Sequence, residues 1–188
     1  MPSASLQRWR EERCAALDEI EGVHIAIAGG GRRYATQQLN YGYALLLCAQ
    51  FQGYCRDLHS ECAALMVQGI LPIDRSKALW SALLRDRKLD RGNANAGNIG
   101  ADYNLFGLAF WSDVKGLDLR NEARQELLEE LNDWRNAIAH HDFTKIAVEP
   151  TLHLHHVRTW RAACHQLATG FDEVMRRRFE TLYGTTPW

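Results

Sequence analysis

Apolar residues recur along this chain at helical intervals, and the longest such series runs from about Arg33 to Gln68. Within it Cys48, Cys55 and Cys62 fall seven residues apart, while Ala44, Phe51, Leu58 and Leu65 fill the half-heptad positions; this predicts a helix with one buried seam. Cysteines one heptad apart are separated by about 10.5 Å along a helix, too far for a disulfide or a shared metal ion, so they read as small apolar packing residues. A first amphipathic helix is predicted over about residues 4 to 20 from Leu6, Trp9, Cys14, Leu17 and Ile20, and the run Ala28-Gly29-Gly30-Gly31 ends it as a flexible connection. That run lacks both the Gly-Lys-Ser/Thr ending of a phosphate loop and the glycine spacing of a dinucleotide site. After a turn at Gly69 to Pro72, a helix from about Asp74 to Lys88 is expected to bury Leu79, Trp80, Leu83 and Leu84, with Asp74 or its neighbour as cap. The Gly- and Asn-rich stretch from Leu89 to Asn98 reads as the main internal loop and a surface connection. Two further helices are predicted, one from about Ile99 to Val114 and one from about Leu119 to Ala139 with Leu127, Leu128, Leu131, Trp134 and Ile138 inward. A linker over 141–150 then leads to a last helix that opens near Glu149-Pro150-Thr151 and ends near Leu182.

Every periodic segment is helical, so the expected class is all-α, and 188 residues suit one well-buried domain. With 22 basic and 23 acidic residues there is no general basic excess, so any contact with nucleic acid has to be local. The basic clusters available for phosphate are Arg32-Arg33, Arg85 with Arg87-Lys88 and Arg91, and Arg176-Arg177-Arg178, each equally explained as a solvated helix face. Five cysteines without a Cys-x-x-Cys pair argue against structural disulfides and a zinc ribbon. The first residues lack the apolar core of a secretory signal, and no run approaches a membrane span, so the expectation is a cytoplasmic protein without membrane contact.

One segment carries chemistry: Leu131-Asn132-Asp133-Trp134-Arg135-Asn136-Ala137-Ile138-Ala139-His140-His141-Asp142-Phe143. A histidine moves protons near neutral pH, an arginine holds phosphate oxygens in its planar fork, and an asparagine orients either; this set suits phosphodiester chemistry and requires no metal or other cofactor. Asn136 and His140 are four apart and share a helix face. Arg135 and His140, five apart, diverge by about 140° on a straight helix and lie about 7.5 Å apart in rise. Either the helix loosens near His140, or a second copy of the chain completes the site across a two-fold axis. The plain structural alternative is that His140 sits at a helix end and Arg135 pairs with Glu129, Glu130 or Asp133.

Arg135-Asn136-x-x-x-His140, set between an amphipathic helix and a final long helix in an all-α chain, resembles the HEPN superfamily, whose signature is Arg, four to six residues, then His. The resemblance implies a HEPN-like bundle of about five to six helices spanning 36–188, with residues 1–35 as an added N-terminal helix and Gly-rich connection. It also implies a homodimer in which two motifs face one cleft, and metal-independent RNA cleavage in a toxin, phage-defence or RNA-processing role, with an antitoxin or defence partner. The implied reaction is transesterification: the ribose 2′-hydroxyl attacks the adjacent phosphorus, leaving a 2′,3′-cyclic phosphate and a free 5′-hydroxyl. His140 of each protomer would serve as base and acid, Arg135 would stabilise the phosphorane charge, and Asn136 would orient them. The same spacing rule admits His141 in place of His140. In HEPN toxins paired with a nucleotidyltransferase antitoxin, a Tyr follows two positions after the His; Asp142 stands two after His140, which speaks against that regulation. The family also draws a polar residue from an earlier helix, for which Arg56, Asp57 and His59 are the candidates.

A second histidine group, His153-Leu154-His155-His156 with His165, lacks the glutamate of a zinc-protease arrangement and a clear third ligand, and reads as a possible lining of the RNA cleft rather than a metal site. Two other functions fit the same chain: a non-catalytic HEPN module binding nucleotide, RNA or a protein partner, and a helical bundle serving assembly alone.

Overall fold

The computed structural model describes residues 1–28, 33–68, 70, 72–146 and 151–188, so the predicted Gly29 to Gly31 connection, Arg32 and the predicted helix start at Glu149-Pro150 lie outside the described residues. The protein is all-α, and no strand occurs among the described residues. Helix α1 (Ala4–Arg8) passes through a π-helical turn, Trp9–Arg13, into α2 (Cys14–Ala28); α3 (Arg33–Val67) is the long central helix. Then come α4 (Ile73–Leu84), α5 (Lys88–Arg91), α6 (Ala96–Tyr103) with a 3-10 turn Asn104–Phe106, α7 (Phe110–Leu117), α8 (Asn121–His140) and α9 (Leu154–Tyr183).

The heptad seam of α3 forms the core as its spacing predicts. Ala44, Phe51, Cys55, Leu58 and Cys62 are fully buried, and the five cysteines are free thiols. Burial pushes the Cys48 thiol up to about 12, the main effect, with a smaller opposing influence from the Arg135 charge.

The N-terminal segment is built into the same core. Ser3 caps α1, accepting from the Leu6 amide at 3.0 Å. Leu6, Trp9 and Leu17 are buried, and the Trp9 ring meets Phe51 edge-on at 5.7 Å. The π turn, closed by Cys14 N–H donating to the Trp9 carbonyl, inserts one residue into the helical register ahead of α2. Arg13 crosses α3 where Gly53 offers no side chain, since a Cβ there would stand 2.4 Å from the guanidinium.

Three predicted elements differ. The expected helix over Ile99 to Val114 is divided: Gly107 is left-handed at φ 73°, and the Asn104 side chain accepts from the Phe110 amide at 3.0 Å to start α7. The expected loop over Leu89 to Asn98 contains α5 and the start of α6, because Asp102 accepts from the Lys88 and Leu89 amides at 2.7 and 2.9 Å and so caps α5 from a distance. In α4 only Leu83 is fully buried and Trp80 is 38% exposed, because α4 packs chiefly on α3 and leaves its outer flank to solvent; its N-cap is Pro72, not Asp74.

Helices α8 and α9 run antiparallel and carry the motif. Trp134 of α8 lies 6.2 Å from Trp160 of α9, and near the other end a Cβ on Gly170 would meet Asn121 at 3.6 Å. The last described helix starts at Leu154, after a non-helical Thr151 to His153 and so later than the start predicted near Glu149-Pro150-Thr151, and it is closed by Gly184, left-handed at φ 71°.

Candidate functional site

Trp134, one residue before Arg135, anchors the end of α8 among Tyr41, Phe143 and Trp160, with ring centroids 6.2 to 6.3 Å away. Phe143 stacks on Tyr41 at 5.7 Å and draws the chain after His141 back onto α3. The helix does not loosen before His140. It runs intact to that residue and closes with His141 in the left-handed region, φ 52°. His141 N–H donates to Ile138 O at 3.3 Å and Asp142 N–H to Ala137 O at 2.9 Å, the paired bonds of a Schellman ending. The Asp142 carboxylate accepts from the Thr144 amide and hydroxyl at 3.0 and 2.7 Å; these bonds, with the nearby charges of Lys145 and His140, hold its carboxyl below the usual range.

Asp133, Asn136, Ala137 and His140 share one face of α8 and, with Asp142 and Lys145, line an open hollow of about 190 Å³. His140 is exposed on its wall. Arg135 lies on the neighbouring flank, half-buried toward Cys48, and is linked to the hollow through Asn136, whose Oδ1 accepts from Arg135 Nη1 at 3.1 Å. The same Oδ1 accepts from Asn93 Nδ2 at 2.7 Å. Two donors on one oxygen fix the amide's orientation and leave its Nδ2 without a partner among the described residues, available to an acceptor in the hollow.

Arg135 makes no ion pair among the described residues. Its expected acidic partners are engaged elsewhere or turned away: Glu129 accepts from the Ala96 amide at 2.5 Å, Glu130 from the Trp160 indole at 3.0 Å, and Asp133 lines the hollow.

Arg56, Asp57 and His59 are not brought to this place. They lie 8 to 11 positions beyond Cys48, the point where α3 touches Leu131, or about 12–16 Å further along the helix. Asp57 receives Arg8 at 3.1 Å and Arg13 at 2.8 Å, tying α1 and the π turn to α3. Arg56 pairs with Asp90 at 2.8 Å. His59 is fully buried between the rings of Tyr103 and Phe106, at 5.6 and 4.9 Å, with neither ring nitrogen hydrogen-bonded among the described residues. Burial, then the charge of Arg87, pushes its pKa down to about 4. The predicted basic clusters are also largely paired: Arg87 with Asp90, Arg91 with Asp86, and Arg176 and Arg177 with Glu173.

Residues that pattern did not single out are Asn93, which orients Asn136 from 43 positions away, and Lys145, which adds a cation to the hollow. Three loop contacts bind this stretch to α8: Asn93 to Asn136, the Ala94 carbonyl to Asn132 Nδ2 at 3.1 Å, and the Ala96 amide to Glu129. The signal in the sequence was the density of Asn in the loop opposite three polar residues of α8 at helical spacing, Glu129, Asn132 and Asn136.

The rings of His153, His155 and His156 lie 3.9 to 5.9 Å apart at the start of α9, with His156 against Trp160 at 6.3 Å. No group of three or more His, Cys, Asp or Glu among the described residues has the geometry to hold a metal ion. No helix among them is long and apolar enough to cross a membrane. Comparison with known proteins gives no match to a family model, to a curated protein or to a solved structure.

Proposed function

We propose that the end of α8 is the active site of a metal-independent RNA endonuclease of HEPN type, completed by a second copy of the chain. The observation that carries this reading is Arg135: a half-buried guanidinium with no carboxylate partner among the described residues, hydrogen-bonded to an asparagine that borders the same hollow as an exposed histidine. A partly desolvated cation without an acid beside it is suited to receive an anion, and the phosphodiester supplies one.

In this mechanism Arg135 binds the non-bridging oxygens of the scissile phosphate and stabilises the phosphorane, while the free amide of Asn136 donates to the same group. One imidazole takes the proton from the ribose 2′-hydroxyl as the 2′-oxygen attacks phosphorus. A second imidazole delivers a proton to the departing 5′-oxygen, leaving a 2′,3′-cyclic phosphate and a 5′-hydroxyl. Among the described residues the hollow of one chain is lined by a single histidine, and the intact helix turns Arg135 and His140 to different flanks, so the proposal gives the second imidazole to His140 of a two-fold-related copy.

Labelled RNA incubated with the protein in excess chelator tests this reading. The expected products carry cyclic phosphate at the new 3′ end. Products with a 3′-hydroxyl, or activity that chelator abolishes, would exclude the mechanism.

A further inference from the structure

A second hollow lies at the other end of the bundle, between the turn at Gly107, helix α7 and the C-terminal part of α9, with a volume of about 490 Å³. That is within the usual size of a small-molecule site. Along α9 it is about 30 Å from the histidines beside the α8 motif, so it is not part of that site.

Its walls carry two opposite charges that do not meet. Arg178 is half-buried and fixed: its Nε donates to the Phe106 carbonyl at 2.9 Å, and its guanidinium lies over Gly107, where a Cβ would come within 2.8 Å of Nη2. The two Nη groups have no hydrogen-bond or ion-pair partner among the described residues, and neither does the carboxylate of Asp113, an exposed residue that lines the same hollow. The adjacent Arg177, also in the lining, is exposed and has its Nε held by Glu173 at 2.6 Å. Val174 and Leu117 supply apolar surface beside the charged groups.

We propose that this hollow binds a small zwitterion with an apolar body, the chemistry of a free apolar amino acid. The carboxylate takes the Nη edge of Arg178 in a charge-assisted, two-pronged contact, the ammonium faces Asp113, and the side chain lies on Val174 and Leu117. An unpaired cation and an unpaired carboxylate in one hollow complement a ligand bearing both charges better than a polyanion, which Asp113 would repel.

Amide chemical shifts of Gly107, Gly116 and Val174, followed during titration with L-phenylalanine, test the proposal. Saturable shifts are expected, with affinity lowered at least about tenfold for phenylacetate, which lacks the ammonium, and for phenethylamine, which lacks the carboxylate. Arg178→Gln is expected to weaken binding by a similar factor. Gly116→Leu supplies a variant that keeps both charges: a Cβ at Gly116 meets nothing within 4 Å, so the helix tolerates the change while the side chain fills the hollow and removes binding. Shifts that never saturate, equal affinity for phenylacetate, or undiminished binding in Arg178→Gln or Gly116→Leu would each overturn the proposal.

Discussion

His140 and His141 are adjacent in sequence and different in situation. His140 stands on the wall of the hollow, whereas His141 spends its backbone in the left-handed region to end α8 and turns its ring 5.8 Å from Phe143. Replacing His141 with glycine removes the steric cost of that conformation, so His141→Gly is expected to raise stability by about 1 kcal/mol in a denaturant melt while RNA cleavage is retained. Loss of cleavage in that variant would transfer the catalytic role to His141. His59 makes a different prediction. Its pKa is held near 4 in the folded chain, below the usual 6.5, so between those values the unfolded chain binds a proton that the folded chain does not. Its contribution to stability is therefore complete above about pH 6.5 and is lost as pH falls toward 4, amounting to about 2 kcal/mol at pH 5. Urea midpoints at pH 7.5 and pH 5 should differ less in His59→Phe than in the parent; an equal difference would mean that His59 does not govern the acid response.

At the level of elements, the heptad seam made α3 legible because burial on one face of a long helix leaves a direct mark on residue type. The same signal failed over 99–114, where apolar residues continue through the break and only Asn104 and Gly107 record it. Arg135, Asn136 and His140 were legible as a group, since they lie within one helix. The displaced candidates Arg56, Asp57 and His59 were not, because local spacing says nothing about which distant helix supplies a partner; Asp57 meets Arg8 and Arg13, and Arg56 meets Asp90. Asn93 escaped for the same reason. Its hydrogen bond to Asn136 makes the 92–95 loop a support for the site, so Asn93→Ala is expected to cost about 1 kcal/mol of stability and to lower cleavage more than that loss explains. Cleavage that merely tracks the folded fraction would show the loop to be structural only. The N-terminal helices likewise belong to the core, and Trp9→Ala should destabilise the whole domain by about 3–5 kcal/mol in thermal or denaturant unfolding.

For the molecule as a whole, the two candidate sites lie at opposite ends of α9, which lets each be tested without disturbing the other. The proposed α8 site also requires assembly: among the described residues one chain presents one histidine in the hollow, and a two-imidazole reaction then needs two chains. Sedimentation should accordingly find a dimer at the protein concentrations where RNA is cut. The most direct test of the central claim compares the parent with Arg135→Ala and His140→Ala on one labelled RNA in chelator, with circular dichroism matched across the three. Cleavage by the parent and a loss of about 100-fold or more in each variant is the predicted result. No cleavage of any cellular RNA pool by the parent, or equal rates in all three proteins, would contradict it.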